Sequence, residues 1–446
     1  MPIPTKQSKE LEPYWTTTDG NLVRLYQGNV TEVLRRLPAK SVHMIVTSPP
    51  YWGLRSYLDE GHDSKTLEIG SEPTPDCLGW AWGENCGKCH VCKMVLVGKE
   101  LRRVLRDDGT CWINYGDSYG GLVESRSPSS VSGAVKGVDG NFARPVGQAT
   151  ADGDHQLSTA WKSGLKAGNL VGVPWRVALA LQADGWVLRQ DIVWSKKSPM
   201  PESVRNRCTK AHEYIFLLAK EQGYYYDAEA IKEEQVSVYS SDEFLPDSEK
   251  DRRDEDKHTA ATGASRANRS PDPISSGRNK RSVWVVSSAG YPGAHFATFP
   301  PKLIEPCILA GTSAHGCCSN CGAPWERILE TKQLKRERPH DYVKRTGEEG
   351  TGNSCANSVA GVETKTVGWR PTCICGGDYD VVPCTVLDPF CGSGTTCCVA
   401  LGHGRRSIGI DLSEKYLRLN AIPRIEGAMM ERPALAKLIP KKGRGT

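Results

Sequence analysis

The sequence predicts an α/β fold built on an open, mostly parallel sheet, and two stretches far apart in the chain carry that prediction. Val42-His43-Met44-Ile45-Val46 is a short apolar run with β-branched residues, as in a buried strand, and it leads straight into Thr47-Ser48-Pro49-Pro50-Tyr51-Trp52. Val386-Leu387-Asp388 leads in the same way into Pro389-Phe390-Cys391-Gly392-Ser393-Gly394-Thr395-Thr396, a glycine turn that opens a helix. A further strand, Ser407-Ile408-Gly409-Ile410-Asp411, ends in an acid. Open α/β sheets collect their chemistry at the carboxyl ends of strands, which is where these polar stretches should lie.

The remaining elements follow the same alternation. Leu22 to Tyr26 alternates as a strand, Gly28-Asn29 turns the chain, and Val30, Val33, Leu34 and Leu37 recur at helical spacing before Pro38. Gly53 to Thr74 is turn-rich. Val97, Leu101, Val104 and Leu105 predict an amphipathic helix ending at Asp108-Gly109, and Thr110 to Asn114 a strand. Gly120 to Gly168 has no period and reads as a flexible insertion. A helix starts near Pro174 and stops at Gly185; Trp186 to Trp194 and Tyr214 to Leu218 are apolar strands. The basic loop between them, with Lys196-Lys197 and Arg205-Asn206-Arg207, suits phosphate contacts and a solvated surface alike. Asp242 to Lys257 is mostly acidic and His258 to Arg281 is Ser/Ala/Arg-rich, so this region is expected to be disordered without a partner. Order returns at Val283 to Val286, and His295 to Pro301 introduces a helix through Leu303, Ile304, Cys307 and Ile308. Lys441-Lys442-Gly443-Arg444 is a short basic tail.

With 446 residues the chain exceeds one ordinary core, which predicts several compact units or one domain with large insertions. A net charge of +5 is compatible with a nucleic-acid partner without demanding one. The 17 cysteines sit in a large chain that opens on Met1-Pro2-Ile3-Pro4-Thr5-Lys6 with no apolar signal core, so they are expected as metal ligands or buried thiols in a reducing cytoplasm. No apolar run is long enough to cross a membrane.

The chemistry of the two polar stretches is complementary. Consecutive prolines fix two φ angles and remove two N–H donors, so Ser48 to Tyr51 is a rigid turn of acceptors, and Tyr51 and Trp52 add a flat apolar face. An amino group on a planar ring suits both. The glycines of the second stretch let a ligand approach the backbone, and the carboxylate of Asp411 can accept ribose hydroxyls, as a nucleoside cofactor requires. A dinucleotide site is the weaker alternative, because the third glycine of its fingerprint is missing.

Ser48-Pro49-Pro50-Tyr51 resembles the catalytic motif of the amino-directed DNA methyltransferases, and Asp388 to Thr396 resembles the S-adenosylmethionine loop of the same family. The resemblance covers about residues 20 to 230, 283 to 314 and 384 to 425, in the motif order of the family's β group. It implies a Rossmann-like sheet of the S-adenosylmethionine methyltransferase type, double-stranded DNA as partner, and a place beside DNA in the cytoplasm of a prokaryotic or phage-infected cell, in a restriction-modification system. It also implies catalytic roles for Ser48, Pro49, Pro50 and Tyr51. Cofactor contacts are implied for Asp388, Pro389, Phe390, Gly392, Gly394, Thr395, Thr396 and Asp411, and for Phe299 against the methionine part. One departure is Gly28-Asn29, where relatives usually have Gly-Asp; Asn29 is a cofactor candidate that reads equally as a turn residue. Serine before Pro-Pro is commoner in relatives acting on N4 of cytosine, with N6 of adenine as the alternative. A zinc-bearing DNA-binding protein without turnover is the reading from another class, and the intact motifs oppose it. Pro306-Cys307 and Pro383-Cys384 carry the dipeptide of carbon-directed relatives but are expected to be structural.

Two cysteine groups complete the reading. Cys77 with Cys86, Cys89 and Cys92 has spacing that can close a tetrahedral zinc site; an iron–sulfur run and unligated thiols are the alternatives. Cys318 and Cys321 with Cys373 and Cys375 resemble a zinc ribbon, Cys317 being an adjacent alternative ligand. The predicted organisation is an acceptor half over 1–230, with the Cys-rich insertion at 77–92 and the flexible one at 118–168. A variable, largely disordered region over 231–282, a candidate for target recognition, follows, then a cofactor half over 283–314 and 384–428, a zinc-ribbon-like insertion at 315–383 and a basic tail at 429–446.

Overall fold

The computed structural model describes residues 11–18, 22–54, 58, 61–120, 165, 168–199, 201–233, 277–288, 299–335, 359–375 and 379–431. The expected flexible insertion, the acidic and Ser-rich run, His295 to Thr298 and the basic tail fall outside the described residues, apart from their edges. The chain divides into two units. One comprises Met1–Ala230, Arg281–Trp325 and Pro371–Thr446, and the other Ile231–Lys280 and Glu326–Arg370. The predicted insertion at 315–383 is therefore partitioned: its four zinc-candidate cysteines lie in the first unit, and most of the intervening chain in the second.

The elements in chain order are β1 (Trp15–Thr16), β2 (Val23–Gln27), α1 (Val30–Arg36), β3 (Val42–Thr47), α2 (His90–Val104), β4 (Leu105–Tyr115), α3 (Val173–Ala183), β5 (Val187–Lys196), β6 (His212–Ala219), β7 (Val283–Val286), α4 (Pro301–Gly311), β8 (Cys317–Cys318), β9 (Trp325–Lys335), β10 (Val359–Pro371), β11 (Val381–Val382), β12 (Thr385–Asp388), α5 (Thr395–Gly402), β13 (Arg406–Asp411) and α6 (Ile422–Met430). In the second unit β9 and β10 pair as a two-stranded ladder.

The first unit is organised on a nine-stranded sheet of order β1-β2-β13-β12-β3-β4-β6-β5-β7. From β2 to β4 every neighbour is parallel, and β6 inserts antiparallel between β4 and β5. β3 is buried along its whole length because both faces are covered. On one face Ile45 and Cys111 join the core formed by α1, α2 and α3. Met44 and Thr110 point the other way, where Gly311 of α4 approaches so closely that a Cβ there would stand 2.8 Å from the Thr110 hydroxyl. Alternation along β3 and β4 thus sorts the helices into two layers.

The α2 boundaries differ from expectation. The helix starts at His90, capped by the Cys89 sulfur accepting from the Cys92 N–H, and ends at Val104. No Ser, Thr, Asp or Asn announces that start. Asp108-Gly109, read as a stop, lies within β4 at a bulge: the pairing jumps from Val42↔Leu105 to Met44↔Thr110.

The β3/β12 register, Val386↔Met44 and Leu387↔Ile45, brings the ends of the two strands together. There the buried Asp388 carboxylate accepts the Thr47 hydroxyl on one oxygen and the Thr396 hydroxyl on the other, each at 2.6 Å, and the Phe390 N–H at 3.1 Å. Replacing Thr47 by Val keeps the volume and leaves a buried carboxylate one donor short. Urea unfolding of Thr47→Val should show a loss of about 1–3 kcal/mol; a change within about 0.5 kcal/mol would mean the bond contributes nothing.

Candidate active site

Because β2, β13, β12 and β3 are parallel neighbours, the loops that follow them open at one edge of the sheet. They enclose a cleft of about 1050 Å³ including its open mouth. Gly28, Asn29 and Val30 after β2, Ser48 and Pro50 after β3, Pro389 to Ser393 and Thr395 after β12, and Asp411 to Ser413 after β13 all line it, with Phe299 ahead of α4 and with Asp388. Ser48 and Pro50 of the acceptor motif and the glycine loop, more than 300 residues apart, therefore line one space, whereas Pro49 and Tyr51 are not among its lining residues.

Within the glycine loop the two glycines differ. Gly392 has φ +48° and no atom within 4 Å of a notional Cβ, so its backbone is bare towards the open space that a ligand would fill. Gly394, at φ +74°, is the N-cap of α5, and a Cβ there would stand 3.1 Å from Ala421; it serves the turn and the packing rather than the cleft. Asp411 accepts the Gly392 N–H at 2.9 Å and the Ser413 N–H at 2.8 Å. Burial pushes its carboxyl up to about 6, and the two amides hold the charged form against that. A carboxylate has about four acceptor positions, so two remain for ligand hydroxyls. Val30, Phe390 and Leu412 supply apolar walls. A nucleoside with a free ribose diol fits this combination.

Other residues expected to touch a cofactor also bond within the protein. Thr396 is fully buried with its hydroxyl on Asp388 and is not among the residues lining the cleft, whereas Asp388, pushed up to about 6 by burial, lines the cleft while accepting from Thr47, Thr396 and Phe390. These two act as the frame of the loop. Asn29 caps α1, its side-chain oxygen accepting from Thr31 and Glu32 N–H, which leaves only its amide nitrogen to donate.

On the acceptor side, Ser48 donates to the Tyr51 hydroxyl at 3.1 Å, and Tyr51 donates to Glu213 Oε2 at 2.7 Å. Asn114 Nδ2 donates to both the Tyr51 oxygen and Glu213 Oε2 at 2.7 Å, and Lys196 Nζ reaches the other Glu213 oxygen. Burial, and then the Glu213 carboxylate, push the Tyr51 phenol well above its usual value, so it keeps its proton. Because the Ser48 hydrogen is directed at Tyr51, the Ser48 lone pairs are left to accept. Pro49 is buried, and Trp52, expected to offer an aromatic face, instead turns into the core with its N–H on the Glu72 carbonyl at 2.9 Å. Cys307 and Cys384 of the Pro-Cys dipeptides are buried and do not line the cleft.

The Tyr51 ring is held from behind. It stacks on Tyr115 at 5.3 Å between centroids and 22° between planes, and a Cβ on Gly116 would stand 2.6 Å from its Cε2. The Tyr115 hydroxyl bonds His90 Nε2, and His90 Nδ1 bonds Glu72 Oε2 at 2.9 Å. Burial raises the Glu72 carboxyl, but His90 and Lys93 outweigh it and hold the group below its usual value. Glu213, Asn114, Tyr115, His90 and Glu72 were not singled out from sequence. The signal available was a carboxylate, Glu213, at the head of an otherwise apolar strand.

Two outcomes follow. Affinity for S-adenosylmethionine should be flat above about pH 7 and fall as pH drops through 6. Hydroxyl donors favour the ionised Asp411, so below that value binding must first expel a proton, at up to about tenfold per pH unit. Calorimetric titrations between pH 5 and 8 check this, and Asp411→Asn should bind more weakly with the slope removed. Gly116→Ala should displace the Tyr51 ring and lower kcat on DNA about tenfold or more with cofactor affinity unchanged; wild-type turnover would contradict the close contact.

Comparison with known proteins finds a matching family and relatives. A family model described as DNA methylase matches residues 42–318 and 384–421. The Type II methyltransferase M.Cfr9I of Citrobacter freundii is 33% identical over 91% of this chain and 89% of its own length. M.SmaI of Serratia marcescens is 31% identical over 89% and 88%. Among solved structures, the PvuII DNA methyltransferase (cytosine-N4-specific) aligns with a TM-score of 0.45 at 14% identity, covering 96% of this chain and 95% of that one. With both family motifs opening on one cleft and relatives matched almost end to end, the chain belongs to the DNA methylase family, the amino-directed methyltransferases of DNA.

Proposed function

We propose that this protein transfers the methyl group of S-adenosylmethionine to the exocyclic N4 of cytosine in a defined sequence of double-stranded DNA, as the modification half of a restriction-modification system. The observation that carries the reading is the cleft that Ser48, Gly392 and Asp411 line together. Serine at position 48 supports cytosine over adenine through its resemblance to cytosine-directed relatives.

The cofactor supplies, when bound, a methyl group on a sulfonium; the rest of the work falls to side chains of this chain. An exocyclic amino nitrogen shares its lone pair with the ring and is a poor nucleophile. Ser48 Oγ and the Pro49 carbonyl, each accepting one N–H, draw that nitrogen towards tetrahedral geometry and hold its lone pair in line with the methyl. The same acceptors stabilise the positive charge that grows on nitrogen. The target base is unreachable inside a duplex, so it is flipped out, at a cost of about a few kcal/mol offset by stacking on aromatic side chains and by phosphate contacts. After transfer one proton must leave the nitrogen. The aligned bonds Ser48→Tyr51→Glu213 give it an exit: the nitrogen proton passes to Ser48 Oγ, the Ser48 proton to Tyr51, and the Tyr51 proton to Glu213 Oε2. Lys196 beside Glu213 keeps the receiving carboxylate in place.

Incubation with labelled cofactor and duplex DNA, followed by nucleoside chromatography, should give N4-methyldeoxycytidine. N6-methyldeoxyadenosine would overturn the assignment of the base, and no transfer to any duplex would overturn the activity. Glu213→Gln should retain cofactor affinity and lower kcat roughly 10- to 100-fold; an unchanged kcat would remove Glu213 from the proton route.

A further inference from the structure

Two groups of four cysteines stand apart from the cleft. The sulfurs of Cys77, Cys86, Cys89 and Cys92 all lie within 4.8 Å of one another, as do those of Cys318, Cys321, Cys373 and Cys375. Among the described residues none of these thiols is in a disulfide, and Cys77 Sγ to Cys92 Sγ is 3.5 Å. A disulfide needs about 2.05 Å, whereas four sulfurs bound to one Zn²⁺ at about 2.3 Å stand roughly 3.7 Å apart at the corners of a tetrahedron. Backbone amides are turned onto the sulfurs of the first group: Gly79 N–H to Cys77, Lys88 and Cys89 N–H to Cys86, and Cys92 N–H to Cys89, each at 3.4 Å. Such donors stabilise thiolates, not thiols. In the second group the Asn320 amide donates to Cys375 at 3.5 Å, and the Arg106 guanidinium lies on the Cys321 carbonyl at 2.6 Å.

A third group, His43 with Cys317 and Cys384, shows by contrast what a non-site looks like. His43 Nδ1 accepts the Thr385 N–H at 3.0 Å and Nε2 bonds the Gly322 carbonyl at 2.8 Å, so neither ring nitrogen is left to ligate. Cys317 donates to the Val382 carbonyl at 3.3 Å, which removes it as an alternative ligand of the second quartet.

We propose that each quartet holds one structural Zn²⁺, and that the first zinc positions the acceptor aromatic through His90, which lies between its ligands Cys89 and Cys92. The Cys89–Cys92 knuckle forms the first turn of α2 and fixes the direction of His90, whose ring carries Tyr115, on which Tyr51 stacks. His90 is a positioning residue in this scheme, and that half of the proposal rests on the methyltransferase reading; the metal content does not.

The full-length chain, purified under reducing conditions with zinc and then dialysed, should contain about two zinc ions per chain by elemental mass spectrometry, and about one in Cys77→Ser and in Cys321→Ser. Cobalt in place of zinc should give the visible bands of tetrahedral thiolate coordination. Wild-type protein with less than about half a zinc per chain, or with iron and its visible absorption, overturns the proposal, as do variants that keep both ions. For the positioning half, His90→Gln should keep two zinc ions and the wild-type affinity for S-adenosylmethionine while kcat on DNA falls about tenfold or more with little change in KM. Cys77→Ser should reproduce that kcat loss. Wild-type kcat in either variant overturns the positioning role while leaving the zinc count standing.

Discussion

The buried carboxylate of Asp388 is the joint on which the site depends. Taking it out of water is unfavourable, as its shift to about 6 records, and the arrangement stands because Thr47 and Thr396 each close a 2.6 Å bond on it. Thr47 is the residue before Ser48, and Thr396 lies in the first turn of the helix that the glycine loop opens. One side chain thus sets the spacing between the acceptor turn and the cofactor loop. The parallel register of β3 and β12 brings these partners within reach.

A second feature is the direction of the polar chain behind the cleft. Ser48, Tyr51 and Glu213 are aligned donor to acceptor, so in the proposed reaction the first member would present lone pairs to the substrate, and the last is a carboxylate paired with Lys196. Chemistry on nitrogen needs acceptors before transfer and a proton sink after it. The same three residues fit both needs.

Much of this was legible in the sequence, and the reason is local. Strand-turn motifs carry their own geometry: two prolines at 49 and 50, glycines at 392 and 394, and an acid at the end of an apolar run dictate backbone shape wherever they occur. What was not legible depends on tertiary pairing. Tyr51 and Glu213 are separated by 162 residues, and they meet because β6 runs antiparallel beside β4, which no periodicity reveals. The early start of α2 was hidden because its cap is a cysteine, and the Asp108-Gly109 bulge imitates a helix stop. The bond from the Thr396 hydroxyl to the Asp388 carboxylate is a pairing that the motif does not announce. Trp52 looks like a partner for Tyr51 and lies in the core instead.

The central claim is that one pocket aligns an amino nitrogen with a sulfonium. It is tested most directly by a crystal structure of the protein with a non-reactive cofactor analogue and a duplex containing its target sequence. The account predicts a flipped base whose amino nitrogen lies about 3 Å from Ser48 Oγ, with the analogue's ribose hydroxyls on Asp411. A base still stacked in the duplex, or an analogue bound away from Gly392 and Asp411, would contradict it.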